Sequence, residues 1–237
     1  AYGSVYAEQA GYIEEAENPA AEKRLQMMAG EFCGNASLSL AAWLAQKKNL
    51  QIGEKTEITL EVSGAEALVR CEMKREAEHR FLGRVAMPLP QTIEKRAFTL
   101  DGERIELTAV VFAGITHILV PASLWGENAA KKAEHAARVW AKELPPVFGL
   151  LLFDEKEKSL KPLVAVGDVS LIWERGCGSG TSAVGAYLAA REKKDVTVSL
   201  KQPGGVMHAT VSYQNGAVTK IEITGSVAIV AEGTAYL

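Results

Sequence analysis

The sequence predicts an α+β protein built as two lobes of similar topology, and three observations carry that prediction. First, one short stretch occurs twice, as FCGNASLSLAAWLA around Cys33 and as GCGSGTSAVGAYLA around Cys177. Aligned on their cysteines, the copies share Cys-Gly, pair Ala42 with Ala186, Leu44 with Leu188 and Ala45 with Ala189, and set Trp43 opposite Tyr187. Second, the surroundings repeat in order: an apolar strand pattern, the Cys-Gly, a helical pattern ending in two lysines, then a hairpin pattern. Third, 237 residues at 48% hydrophobic composition allow one large domain or two ordinary ones, each with a core of its own. Because the stretch occurs only twice, it marks duplication of one structural unit and not a solenoid.

In chain order, residues 5–14 read as a strand closed by the Asn18-Pro19 turn, and residues 25–28 as a second strand leading into Cys33. Small and apolar residues recur at helical spacing over 35–46, and Lys47-Lys48 stands where a helix C-terminus favours cations. Residues 56–62 and 67–73 alternate around Ser63-Gly64 and predict a hairpin. Further strands are expected over 84–90 and 105–120, and an amphipathic helix over 129–143, stopped by Pro145-Pro146. Strands at 149–153 and 163–173 lead to Cys177. A helix over 182–191 follows, then strands at 195–200 and 207–213 joined through Pro203-Gly204-Gly205. The lobe boundary falls near residues 121–127.

Composition narrows the class. A net charge of −3 with mixed signs offers nucleic acid no basic face. The best apolar run, 147–153, is far too short to span a membrane. The opening AYGSVYAEQAGY has neither the charged start nor the apolar core of a signal peptide, and three cysteines cannot all pair. A cytoplasmic protein with no membrane or nucleic-acid partner is expected.

The repeated Cys-Gly carries the chemistry. The first N–H groups of a helix have no partner within it, and glycine lets another molecule approach the backbone. Gly34-Asn35 and Gly178-Ser179 are therefore candidate anion-binding ends. The same positive end stabilises a thiolate, so lowered thiol pKa values are expected at Cys33 and Cys177. If the lobes face each other, two cysteines meet two helix ends across one cleft. Inverting an α-carbon needs that pairing: one group removes the proton from one face, another supplies it to the opposite face, and N–H donors stabilise the enolate-like carboxylate. The residues alone leave a structural role open, since cysteine also packs as a small hydrophobe.

Phe32-Cys33-Gly34-Asn35-Ala36 and Cys177-Gly178-Ser179-Gly180-Thr181 resemble the paired cysteine motifs of the diaminopimelate epimerase superfamily, amino-acid racemases and epimerases that work without pyridoxal phosphate. Within it, the chain is most similar to the histidine racemases that feed opine metallophore synthesis. Glu8-Gln9-Ala10-Gly11-Tyr12-Ile13, Leu152-Phe153-Asp154-Glu155, Leu171-Ile172-Trp173-Glu174 and Gln202-Pro203-Gly204-Gly205 extend the likeness over most of the chain. The resemblance implies a diaminopimelate epimerase-like fold: two pseudo-symmetric lobes, each an antiparallel β-sheet or barrel wrapped round a central helix, with the active site in the cleft between them. It implies lobes at 1–123, carrying Cys33, and 124–237, carrying Cys177. The family's opening strand and asparagine-bearing loop would be missing from the first lobe, and the terminal strand of the second would pack back on it.

By the same resemblance, Cys33 and Cys177 would be the acid/base pair, and backbone N–H groups of Gly34, Asn35, Gly178 and Ser179 would hold the substrate carboxylate. Glu174 would contact the α-amino group, Glu8 and Gln9 would line the site, and His117 would lie beside a catalytic cysteine. No cofactor and no metal are expected, and a homodimer is. Diaminopimelate epimerases carry asparagine where this chain has Ile115, and a second substrate asparagine is replaced near Met28. A polar distal group would lose partners there, which disfavours diaminopimelate and favours histidine. Diaminopimelate epimerisation, action on another amino acid such as a proline derivative, and plain amino-acid binding without chemistry are the competing readings.

The other candidates read as structural. Cys71 sits mid-strand, His79 and His135 lie among charges, and His208 is at a strand end. No Cys or His pair has metal-ligand spacing. GCGSG lacks the spacing and the lysine of a phosphate loop. Trp43 and Tyr187 are expected to pack the inner faces of their helices.

Overall fold

A computed structural model of the chain describes residues 7–167 and 170–234. The first half contains strands β1 (Gly11–Glu14) and β2 (Lys23–Met27), helix α1 (Gly34–Lys47), and strands β3 (Lys55–Val62), β4 (Val69–Ala77) and β5 (Arg80–Ala86). Strands β6 (Thr92–Leu100), β7 (Glu103–Val111) and β8 (Thr116–Pro121) follow, then helix α2 (Ala129–Trp140) behind a short 3-10 turn. Beyond it come β9 (Val147–Asp154), β10 (Ser159–Val166), β11 (Ser170–Trp173) and helix α3 (Gly178–Glu192). Strands β12 (Val196–Gln202), β13 (Gly205–Gln214) and β14 (Ala217–Ala228) complete the order. Residues 5 and 6 of the first expected strand, and 168 and 169 of the one expected over 163–173, lie outside the described residues.

Strand pairing runs in the single order β1-β2-β3-β4-β5-β14-β13-β12-β10-β9-β8-β7-β6, with β11 on β10 off that path. The strands thus form a large mixed sheet with three α-helices among the described residues. This corrects the expected diaminopimelate epimerase-like arrangement of two pseudo-symmetric antiparallel lobes, each wrapped round a central helix. The physical reason lies in the helices. A strand, a helix and a returning strand carry the chain back to where it began, so the second strand pairs parallel to the first. That happens twice, β2 with β3 across α1 and β8 with β9 across α2, and β10 also pairs parallel with β12, through Ser159 and Lys201, after the chain has passed through β11 and α3. The hairpins β3–β4 and β12–β13 are antiparallel as expected, and β9–β10 forms a third antiparallel hairpin.

The chain divides into two compact units, residues 1–86 with 224–237, and residues 87–223. The division expected at 123/124 falls within the second. In the first unit, the buried face of α1 (Leu38, Ala41, Ala42, Ala45) joins Leu25, Met27, Ile58, Leu60, Met73 and Phe81 in the core. Gly83 lets α1 and β5 approach closely: a Cβ there would lie 2.8 Å from Leu38 Cδ2. In the second unit, α2 buries Ala133, Ala136, Ala137 and Trp140 against Phe98, Leu107, Phe148 and Leu150. Trp140 stacks on Phe98 at 4.6 Å between centroids and donates its indole N–H to the Thr99 carbonyl at 2.9 Å, so the buried polar group is satisfied. Helix α3 is nearly all small residues, and a Cβ on Gly185 would sit 2.9 Å from Val211 Cγ2, so the helix lies directly on β13.

Candidate active site

Both repeated cysteines are helix N-caps. Cys33 (φ −131°, ψ 108°) and Cys177 (φ −111°, ψ 109°) have nearly the same extended backbone and end the chain's approach to α1 and α3. Each sulfur accepts the N–H three residues on: Ala36 at 3.4 Å in the first copy, Gly180 at 3.2 Å in the second. Each cysteine carbonyl accepts a hydroxyl four residues on, Ser37 at 2.9 Å and Thr181 at 2.6 Å. These contacts occupy equal offsets in the two copies, so the repeat seen in sequence is a repeat of hydrogen bonding. In both, a buried glycine follows at the helix start, where the first N–H groups have no partner within the helix.

Trp43 and Tyr187 also correspond, but not as the expected inner-face packing. Both are half-buried, and a cation one turn on lies over each ring: Lys47 Nζ and Arg191 Cζ, each 5.2 Å from the ring centroid.

The surroundings of the two thiols differ. Cys33 is half-buried, and its thiol donates to Gln9 Oε1 at 3.0 Å. Gln9 lies with Glu8 in the exposed segment before β1, and Gly34 is buried at the helix start beside half-buried Asn35. Cys177 is 3% exposed. Burial pushes its thiol well above the ordinary cysteine range, and the adjacent Glu174 carboxylate pushes it the same way, while hydrogen bonds from Ser179 and Gly180 pull it down. The lowered thiol expected from the helix end is therefore reversed at Cys177, because burial and a carboxylate outweigh two hydrogen bonds. Cys71 is wholly buried mid-strand and pushed up to about 12 by burial, as suits a structural residue.

His117 belongs to the Cys177 group. It is fully buried on β8, and its Nε2 lies 2.9 Å from Ser179 Oγ, which is in turn 3.4 Å from Cys177 Sγ. A hydrogen-bonded path thus runs from imidazole to thiol through one hydroxyl. Phe112 meets the ring edge-on at 6.3 Å, and Nδ1 is buried with no hydrogen-bond partner. Gly149, its parallel neighbour on β9, makes the room: a Cβ there would lie 2.4 Å from Nδ1. Burial lowers the His117 pKa from 6.5 to about 3, so the ring is neutral at neutral pH.

That shift has a sign in stability. Below pH 6.5 the unfolded chain takes up a proton that the folded chain refuses until about pH 3. Stability present above that window is lost as pH falls through it, by about 1.4 kcal/mol per pH unit from this group. Urea unfolding between pH 4.5 and 7 should show this slope, and His117→Gln should remove it; equal slopes in both proteins would contradict a buried neutral imidazole.

Cys177, Gly178, Ser179, Glu174 and His117 come together in the second unit, and Cys33, Gly34, Asn35 and Gln9 at the start of α1 in the first. Glu8 sits next to Gln9 in the chain. Three residues of the Cys177 group went unassigned in sequence, Gly149, Thr181 and Gln202, and Ser179 was assigned through its backbone N–H and not its hydroxyl. Gly149 had a signal, a glycine inside an otherwise apolar strand, which marks close approach. Thr181 had another, a hydroxyl at the same offset as Ser37. Among the described residues, no group of three or more His, Cys, Asp and Glu could hold a metal ion, and no helix is long and apolar enough to cross a membrane.

The family model described as the histidine racemase CntK N-terminal domain matches residues 1–236. A histidine racemase of Fusobacterium nucleatum is 32% identical over 99% of this chain and 83% of its own length. One of Staphylococcus aureus is 28% identical over 98% of this chain and 84% of its own. Among solved structures, the chain is similar to a probable proline racemase from Agrobacterium radiobacter, with TM-score 0.64 and 17% identity over 93% of this chain and 73% of the other. It is also similar to a hydroxyproline epimerase from Agrobacterium vitis, with TM-score 0.66 and 14% identity over 93% of this chain and 71% of the other. At those identities the likeness is one of fold, and it gives the mixed sheet its class: the fold of proline racemases, where a diaminopimelate epimerase-like one was expected.

Proposed function

The chain belongs to the histidine racemase family, and from that premise we propose that it interconverts L- and D-histidine without a cofactor, using Cys33 and Cys177 as acid and base. The observation that carries the two-cysteine reading is the repeated cap: two thiols at two helix starts, each in the same hydrogen-bonding pattern. Histidine's α-proton is a very weak acid, so the reaction needs stabilisation of the enolate-like carboxylate and a proton donor on the face opposite the base. Backbone N–H groups of Gly34, Asn35, Gly178 and Ser179 are the donors for the carboxylate, and Glu174 is the partner of the α-ammonium.

Glu174 then has a second effect. Its carboxylate is one of the causes that hold the Cys177 thiol protonated, and pairing with the substrate ammonium offsets that charge. Cys177 becomes easier to ionise when substrate is bound. Gln9 Oε1 accepts a hydrogen bond from the Cys33 thiol at 3.0 Å and so orients that S–H. Neutral His117 holds the Ser179 hydroxyl beside the Cys177 sulfur and takes no proton itself.

The finer reading is a cytoplasmic homodimer supplying D-histidine for opine metallophore assembly, supported by the resemblance of its cysteine motifs; a monomer in sedimentation would remove the dimer from it. The main test is L-histidine in heavy water without pyridoxal phosphate, followed by NMR. The α-proton signal should disappear as D-histidine forms. A histidine signal that persists while another amino acid loses its own would overturn the substrate. Persistence across an amino-acid panel, with binding seen by calorimetry, would leave a binding protein instead.

A further inference from the structure

Gln202 ends β12 with its side chain buried at 9% exposure, and both ends of its amide are used. Oε1 accepts the Cys177 N–H at 2.8 Å, and Nε2 donates to Thr181 Oγ1 at 2.7 Å. Thr181 Oγ1 in turn donates to the Cys177 carbonyl at 2.6 Å. The ring closes on one residue: both backbone polar groups of Cys177 are held by side chains from two other positions. Every direction in it is determined. The Cys177 N–H can only donate, so the amide oxygen faces it and the NH2 faces Thr181, whose single proton then goes to the carbonyl.

The turn beyond Gln202 grips the same segment. Gly204 N–H donates to the Arg175 carbonyl at 2.6 Å, and a Cβ on Gly204 would lie 2.9 Å from that oxygen. The chain entering Cys177 is therefore held at residues 175 and 177 by one hairpin turn. A cap needs only its own side chain to start a helix, as the sulfur of Cys177 already does through Gly180. The amide ring adds nothing to that cap; what it fixes is the backbone from which the sulfur projects.

We infer that Gln202 is a positioning residue for Cys177, with Thr181 as its second arm: the amide ring sets the direction of the thiol. This rests on the reading of Cys177 as an acid/base group. A displacement of about 1 Å at a reacting group costs on the order of a hundredfold in rate. Gln202→Leu, and Thr181→Val, which removes the hydroxyl at constant shape, should each lower kcat for histidine racemisation by roughly that factor with KM within about threefold. Thr181→Ser keeps the hydroxyl and should restore most of the rate lost in Thr181→Val. In Gln202→Glu, one oxygen still accepts the Cys177 N–H, but the other faces a hydroxyl whose only proton is committed. The added negative charge should move the alkaline-going limb of the pH–rate profile upward.

Amide hydrogen exchange at Cys177 gives a readout that needs no substrate. It should quicken by about tenfold or more in Gln202→Leu while distant amides stay unchanged. Unchanged exchange at Cys177, or folded Gln202→Leu and Thr181→Val proteins with the parent kcat, would overturn the inference. So would kcat losses that Thr181→Ser shares in full. Should Gln202→Leu fail to fold, the Thr181 pair carries the same test. If the parent protein leaves histidine untouched while exchange at Cys177 still depends on Gln202, the substrate reading fails and the clamp stands.

Discussion

Cys177→Ser and Cys33→Ser should each lower histidine racemisation by at least about a thousandfold, within the range that one positioned acid or base supplies. Serine keeps the cap, since its hydroxyl accepts the same N–H that each sulfur now accepts, from Gly180 or Ala36. The fold is therefore retained, and the loss reads on chemistry. A serine hydroxyl is too weak an acid to shuttle a proton at neutral pH. The remaining thiol still reaches one face, so each variant should wash the α-proton out of one enantiomer without inverting it, and the two variants should do so for opposite enantiomers. Polarimetry and NMR in heavy water separate inversion from exchange. Near-parental racemisation in either variant would sink the two-base scheme.

Gly149→Ala is the second large expectation. The added methyl would sit 2.4 Å from His117 Nδ1 and 2.8 Å from Cε1, distances no carbon tolerates. The ring has little room to retreat, being fully buried with Phe112 at its edge. It must rotate away and give up Ser179, so overpacking of about 1–3 kcal/mol adds to about 1 kcal/mol of lost hydrogen bond. Thermal unfolding should fall by roughly 4–16 °C for a chain of this size. Racemisation should fall with it, because the hydroxyl beside Cys177 loses its orientation. The companion His117→Ala makes the room that the methyl needs. In the double variant Gly149→Ala should cost little further stability, and an undiminished cost there would place the strain elsewhere.

How much of this was legible in sequence depends on how local the physics is. The helix starts were, because cap, glycine and helical spacing fall within a few residues of Cys33 and Cys177. So was the repeat, although the hydroxyls of Ser37 and Thr181 at equal offsets gained a role only from the structure. The sheet was not: whether β3 returns beside β2 or forms the wall of a separate barrel is decided by packing across α1, which spacing does not encode. Strands β6 and β14 escaped notice because TIEKRAFTL and AVTKIEITGSVA carry many polar residues, facing solvent on one side. Gln202 stood in a quoted motif without a role, since its partner lies 25 residues away on another element. The Cys177 thiol was read from its helix alone, and burial with the nearby Glu174 carboxylate reversed the sign.

The unequal settings of the two cysteines, one half-exposed against Gln9 and the other buried beside Glu174, bear on the kinetics in a definite way. D- and L-histidine are mirror images with the same free energy in water, so their equilibrium constant is one. The ratio of kcat to KM must then be identical for the two enantiomers, whatever the protein does. Nothing obliges kcat and KM to match separately. An enzyme whose two caps differ will hold one enantiomer more tightly and turn it over more slowly, in equal proportion, and the size of that imbalance measures how far the duplicated site has drifted from symmetry.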